Sequence, residues 1–373
     1  PCQAEDGIRD KQICLVGSEM CIRDSGHQKM TSREVAEYSP RWSPAGDRLA
    51  FVSRTDEGAE IYMYWLESGR YARITQLPGS PSALSWSPDG QQLAFTRNVP
   101  ADAPVLAKLP KKPKNAKWAG APRITDRLYH EADGRGYIAP GFNHVFVIPA
   151  AGGAARQVSS GDWSHRGPLS WSPDGAMIYL TSNRSEDWEY DFRNSEVYAL
   201  EVATGQMEAL TDSKGPDNGP VVSPDGQYVA YRGYTDRRQA HQVTELRLMK
   251  ADGSDKKVLT PSLDRNVSGM TWDSKSRGIY FTYDDKGNSK IGYVSLSGKV
   301  SKLADNLGGT SIGRPYGGGS FSLSTDGTLA YTFTRPEFPA DIAVVKQGAK
   351  DARRITQLNK GLLDQRKLGK VEE

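Results

Sequence analysis

The sequence has only three cysteines, Cys2, Cys14 and Cys21, all within its first 25 residues. That number cannot build a disulfide framework. No run approaches the ~18 apolar residues of a membrane-spanning helix, which excludes a helical span. Neither sign of charge dominates. Lys and Arg number 48 against 45 Asp and Glu, and a net charge of +3 is too small and too evenly spread for a nucleic-acid binder. Sustained helical periodicity is missing as well. Turn-forming residues are plentiful: 38 Gly and 22 Pro in 373 residues, more than a helical bundle would carry. With 37% hydrophobic and 25% charged residues, the balance favours a globular chain of many short strands joined by tight turns.

Residues 1–25 stand apart from the rest. Gln3 to Asp10 (QAEDGIRD) and Leu15 to Asp24 (LVGSEMCIRD) resemble translations of the two constant parts of a short-read sequencing adapter, with Lys11 to Cys14 where its variable index would fall. They are read as non-native and set aside. The remaining 348 residues contain no cysteine, which removes thiol chemistry. Three basic and five acidic residues leave with the segment, so the net charge rises from +3 to +5.

A repeat organises what remains. Trp42-Ser-Pro-Ala-Gly-Asp-Arg-Leu-Ala-Phe51 recurs from Trp86, from Trp171 and from Val222, with weaker copies from Trp272 and Leu323. Successive anchors lie 44, 85, 51, 50 and 51 residues apart. The 85 reads as two periods, with a diverged copy around Asp133-Gly134 in YHEADGRGYI. Ser-Pro-Asp-Gly suits a tight hairpin: Pro presets φ, Asp bonds its own backbone, and Gly takes the left-handed position. Most copies have a second turn some 20–30 residues later, then a closing strand: ARIT (72–75), RQVS (156–159), EALT (208–211), KVLT (257–260) and RRIT (353–356). Two hairpins per repeat make a four-stranded antiparallel blade. The spacing predicts an all-β, seven-bladed β-propeller over 26–358, with 359–373 beginning a linker.

In an up-and-down blade the first and third turns share one face. The second turn and the blade-to-blade connection share the other. The Ser-Pro-Asp-Gly turns are short, so the expected insertions at 98–120, 183–194, 233–243 and 305–320 all emerge on the opposite face. Function on a rigid scaffold resides in such loops, although loop decoration without function gives the same pattern. Trp188, Tyr190, Tyr234, Arg314 and Tyr316 are the aromatic and Arg anchors that a docking face needs. Glu186, Asp187, Glu189 and Asp191 surround two of them. That cluster either holds a cationic group such as a peptide amine or is a solvated acidic loop, free or paired with Arg237 and Arg238.

Self-contained chemistry is not legible. Gly309-Thr310-Ser311-Ile312-Gly313 matches the nucleophile-elbow pattern, but the Arg314-Pro-Tyr-Gly-Gly-Gly that follows cannot start the required helix. The histidines (27, 130, 144, 165, 241) show no metal-ligand spacing, and no phosphate-binding loop is present. His144, within an apolar run, reads as a strand residue. Lys108, Lys111, Lys112, Lys114 and Lys117, broken by Pro110 and Pro113, read as a solvated linker. No catalytic residue, metal site or cofactor is expected.

Residues 38–373 resemble the N-terminal propeller of the prolyl oligopeptidase family of serine peptidases, in its acylaminoacyl-peptidase-like branch. The likeness is carried by the WSPDG hairpins, YHEADGRGY (129–137), SEDWEY (185–190), KADGSDKKVLT (250–260) and the ending ITQLNKGLLDQRKLGKVEE (355–373). The hairpin alone also occurs in TolB-like propellers, which serve as protein-binding scaffolds. The resemblance implies a non-catalytic propeller that admits short peptides to a downstream α/β-hydrolase domain carrying Ser, Asp and His. Its partners would be that domain and short peptides, with neither nucleic acid nor membrane, in a bacterial cytoplasm or periplasm. The dipeptidyl-peptidase IV-like branch places a Glu pair before its fourth hairpin. Here the stretch reads Asp162-Trp163-Ser164-His165-Arg166, so dipeptide release is not implied.

Overall fold

A computed structural model describes residues 21–23, 26–28, 30–101, 107, 110–119, 124–134, 136–308, 318–349 and 351–370. The described residues are all-β apart from one helical turn, Lys360–Leu363. Cys21–Arg23 pairs with Gly26–Gln28 in a two-stranded sheet separate from the blades.

Six four-stranded blades follow in sequence order. Blade 1 consists of Glu37–Trp42, Arg48–Thr55, Gly58–Trp65 and Arg70–Arg73. Blade 2 consists of Ser82–Trp86, Gln92–Pro100, Gly141–Pro149 and Arg156–Gln157. Blade 3 runs His165–Trp171, Met177–Ser182, Glu196–Glu201 and Met207–Ala209. Blade 4 runs Asp217–Val222, Tyr228–Gly233, Glu245–Lys250 and Lys257–Val258. Blade 5 runs Val267–Trp272, Gly278–Asp285, Asn288–Ser295 and Val300–Leu307. Blade 6 runs Phe321–Leu323, Thr328–Arg335, Phe338–Lys346 and Arg353–Arg354.

The expected count of seven is not met among the described residues. YHEADGRGYI forms only the two-residue strands Glu131–Ala132 and Gly136–Tyr137. The strand Gln92–Pro100 pairs in unbroken register with Gly141–Pro149, from Gln92↔Pro149 to Pro100↔Gly141. Everything between is therefore an excursion within blade 2. Asp133-Gly134 is a turn without the Ser-Pro before it or the apolar strands that make the other copies fold.

In blades 2, 3 and 4 the repeated turn closes on the same bonds. Ser87 Oγ donates to Asp89 Oδ1 at 2.6 Å and accepts from Gln92 N at 2.9 Å, and Gln91 N also bonds Asp89. Ser172–Asp174 and Ser223–Asp225 repeat the arrangement. The Ser hydroxyl and the backbone N–H hold the Asp89 and Asp174 carboxyls below their ordinary range. In blade 5 Asp273 replaces the Ser, and its own carboxylate takes the N–H of Arg277 at 2.7 Å.

The closing strands end in a second repeated device. Thr75, Ser159, Thr211, Thr260 and Thr356 each accept, through the side-chain oxygen, the N–H that opens the apolar core of the third strand. The donors are Ile61, Val145, Val197, Leu246 and Ile342, at 2.8–3.0 Å. In blades 1, 3 and 6 the Thr hydroxyl then donates to Glu60, Glu196 or Asp341 at 2.5–2.8 Å. Blade 5 has Ala304 opposite Ile291. Its last strand instead continues to Leu307, which pairs with Phe333 of blade 6.

Because strand side chains alternate faces, each blade feeds two seams. Leu93 and Phe95 pack toward blade 1, while Ala94 packs toward blade 3. Five apolar clusters result, one between each consecutive pair of blades. None of these clusters joins blade 6 to blade 1. In blades 2, 3 and 5 the Trp before the turn adds a directional bond across its seam. Trp86 Nε1 donates to Arg41 O at 2.9 Å, Trp171 to Ser85 O at 3.4 Å, and Trp272 to Val221 O at 2.8 Å. Trp42, in blade 1, has its indole N–H buried without a partner among the described residues.

Removing a seam bond leaves a part-buried carbonyl without its partner, at a cost of about 1 kcal/mol. Trp86→Phe and Trp272→Phe should therefore lower the melting temperature measurably in differential scanning calorimetry. Trp42→Phe loses no such bond and should cost less than either. Equal losses at all three positions would show that the indole bonds do not register the seams.

Candidate functional site

Strand order assigns the long connections to one face. The second turns of blades 2, 3 and 4 span residues 101–140, 183–195 and 234–244, and the connection between blades 5 and 6 spans 308–320. All lie opposite the Ser-Pro-Asp-Gly turns. The blade 2 insertion is longer than expected, because it absorbs the stretch first counted as a blade. Lys111, Lys112, Lys114 and Lys117 are exposed along it.

Residues 183–194 fold on themselves. Tyr190 N and Asp191 N both donate to Asp187 O, at 2.8 and 3.0 Å, and Asn183 Nδ2 reaches Asp191 O at 2.8 Å. Glu186 and Asp187 point outward and Tyr190 is 78% exposed. Trp188 is half-buried, its ring edge-on to Phe142 at 6.2 Å. Glu189 has a buried Oε1 without a partner among the described residues. None of the ion pairs formed links this cluster to Arg237 or Arg238. Arg193 instead acts with Arg238 on Asp236, whose carboxyl Gln242 and a backbone N–H already hold low.

Tyr234 is half-buried at the start of the blade 4 loop. That loop is bound to the blade 3–4 connection by Asp236 N donating to Lys214 O at 2.8 Å. Gly215 makes the approach possible: its φ is +114°, and a Cβ there would run into the Tyr234 carbonyl. Arg314, Tyr316 and Ser311 lie outside the described residues.

Several groups on this face had no sequence signature. Phe142 is the hub, with the Arg127 guanidinium over its ring at 4.5 Å and Trp188 at its edge. Exposed Tyr129 and Phe192, at 61% and 63%, flank that hub in sequence. Arg184 lies over Trp163 at 4.7 Å. Beneath them His144, in its strand as expected, and His165 form a buried pair with ring centroids 5.3 Å apart. These contacts join residues 15–46 apart, which no local motif encodes. A cavity of about 370 Å³ opens where the chain leaves blade 6, between Glu337, Arg354, Lys360 and Arg366. Arg354 covers the Phe338 ring at 4.0 Å and pairs with buried Asp341.

This arrangement suits binding: a rigid scaffold, exposed aromatic rings and unpaired acids on one face. Among the described residues no cluster of three or more His, Cys, Asp or Glu side chains could hold a metal.

Residues 131–238 match the family model of the dipeptidyl peptidase IV N-terminal region. Dipeptidyl-peptidase 5 of Porphyromonas gingivalis is 26% identical over 356 residues, 91% of this chain and 49% of that protein. The chain thus spans about half the length of that relative. The Tol-Pal system protein TolB of Alcanivorax borkumensis is 39% identical, but over 74 residues, 19% of this chain and 17% of that one. Among solved structures, acylaminoacyl peptidase of Pyrococcus horikoshii superposes with a TM-score of 0.65 at 16% identity, covering 92% of this chain and 48% of that one. That similarity speaks to the fold.

Glu196, at the root of the 183–195 loop, has its carboxyl pushed up to about 7, first by burial, against the opposing bond from Thr211. A carboxyl raised in the folded state favours folding when protonated, so this contribution is whole below about pH 4.5 and is lost as pH rises toward 7. Glu196→Gln should keep the amide near Thr211 and remove that slope. Relative to the native chain, the variant should gain on the order of 2 kcal/mol between pH 5 and pH 8 in urea unfolding. An unchanged difference across that range would mean that Glu196 ionises normally in place.

Proposed function

We propose that this chain, an N-terminal propeller of the prolyl oligopeptidase family of peptidases, is the non-catalytic gate of a serine peptidase acting on short peptides. One observation carries this reading: the long connections of blades 2 to 4 share a face and gather exposed aromatics there, while the opposite turns are minimal. In this reading the α/β-hydrolase domain docks on the long-loop face, and substrates pass between the loops. Tyr190, Trp188 and Tyr234 serve as anchors; Arg314 and Tyr316 lie outside the described residues. Buried aromatics and Arg dominate docking energetics. Glu186, Asp187 and Glu189 offer negative charge beside aromatic rings, which suits the amino terminus of a short peptide. The propeller contributes exclusion and orientation. Bond cleavage belongs to Ser, Asp and His on the partner domain.

The second reading is a stand-alone protein-binding propeller of the TolB kind, which rests on the shared hairpin repeat. Hydrogen exchange separates the two. With the hydrolase domain supplied, in the same chain or in trans, amides of 183–194 and 234–244 should gain protection. The Ser-Pro-Asp-Gly turns should keep their exchange rates. This chain by itself should hydrolyse no peptide. Protection confined to the Ser-Pro-Asp-Gly face would overturn the docking assignment, and no protection at all would favour the TolB-like reading.

A further inference from the structure

The seam between blades 2 and 3 holds a histidine with no place for a second proton. His165 opens the inner strand of blade 3 and is completely buried. Its Nδ1 lies 3.0 Å from Asn143 O. A carbonyl only accepts, so the proton sits on Nδ1 and Nε2 is left with a lone pair. That Nε2 is buried and has no partner among the described residues. His144 faces it from blade 2. Ser159 Oγ, which accepts Val145 N at 2.8 Å, lies 3.3 Å from Nδ1 of both rings. Because the His165 Nδ1–H is turned to Asn143, the Ser159 hydroxyl donates to His144.

The surroundings add positive charge. Arg97 acts on His144 from blade 2, Arg184 acts on both imidazoles from the 183–194 loop, and Asp162 on the connection is the acid acting on His144. Glu196, one strand beyond Ser182 in the same sheet, is bound to Thr211 instead. Burial is the main cause that brings His165 down to about 4. The long loop is fastened on both sides of this ring. Ser182 Oγ donates to Ser164 O at 3.0 Å, Arg184 covers Trp163 at 4.7 Å, and Trp188 meets Phe142 next to Asn143.

We propose that His165 is an acid-triggered latch. While neutral it keeps the blade 2–3 seam shut and the 183–194 loop seated; when protonated it opens that seam and frees the loop. The closed seam offers an imidazolium no acceptor at Nε2 and sets two guanidinium groups around the pair. A cation is therefore accommodated only by opening to water. The same linkage makes the latch one-directional: the closed form is favoured above the ordinary imidazole range and weakened as pH falls below it. This inference does not depend on the peptidase reading.

Hydrogen exchange of the full chain at pH 7 and pH 5, expressed as protection factors so that intrinsic rates cancel, tests it. Protection at amides 143–145 and 183–185 should fall about twentyfold at pH 5, the factor expected when the open form titrates near 6.5 and the closed form near 4. Amides at the blade 4–5 seam should change far less. In His165→Asn, which keeps a donor for Asn143 O and cannot titrate, the 143–145 and 183–185 values at the two pH values should agree within about twofold. Uniform behaviour of all seams, or a pH response that survives in His165→Asn, would overturn the latch. Should that variant fail to fold, the imidazole proton shifts of the native chain decide. A His165 midpoint near 6.5 in the closed protein would show that the seam accommodates the cation, contrary to the proposal.

Discussion

Everything in this molecule depends on the seam between neighbouring blades. A four-stranded sheet buries nothing by itself, and its two faces are closed only by the sheets on either side. The alternation along each strand sends Leu93 and Phe95 one way and Ala94 the other. Seam packing is non-directional, so it tolerates sliding. At three of the five seams the indole bonds of Trp86, Trp171 and Trp272 to the carbonyls of the preceding blades remove that freedom. Register within a blade is fixed elsewhere, by the Ser–Asp turn at one end and the closing Thr or Ser at the other.

The two ends of each blade consequently do different work. The Ser-Pro-Asp-Gly turns satisfy their own backbone groups and leave no room for insertion. At the opposite end the third strand begins under a Thr or Ser hydroxyl, and whatever precedes it is free to lengthen. Blades 2, 3 and 4 lengthen there; rings and guanidinium groups hold the first two loops against each other, and a backbone bond from Asp236 to Lys214 holds the third. Polar groups beneath the loops are then pushed from water. His165 and Glu196 are the outcome, one resisting a proton and the other retaining it.

The fold was largely legible because its turns are written with residues of fixed conformational meaning, repeated near every fifty positions. The blade count was not. Asp133-Gly134 has the turn residues of a hairpin, and only pairing of Gln92–Pro100 with Gly141–Pro149 shows that it interrupts a blade. The closing Thr and Ser could be seen as strand ends. Their bonds to Ile61, Val145 or Val197 could not, because those span 14 residues, beyond any local turn or strand pattern. On the functional face, composition marked Glu186, Asp187, Trp188, Glu189 and Tyr190 as unusual. It said nothing of Phe142 or Arg184, whose importance is purely spatial.

The central claim is that the propeller limits what reaches a peptidase active site. It is tested most directly by measuring hydrolysis by the proposed α/β-hydrolase partner with and without this propeller, on a short peptide and on a long unfolded polypeptide carrying the same scissile sequence. The account predicts that the propeller preserves or raises the rate on the short peptide and suppresses the rate on the long chain. An unchanged ratio of the two rates would contradict it.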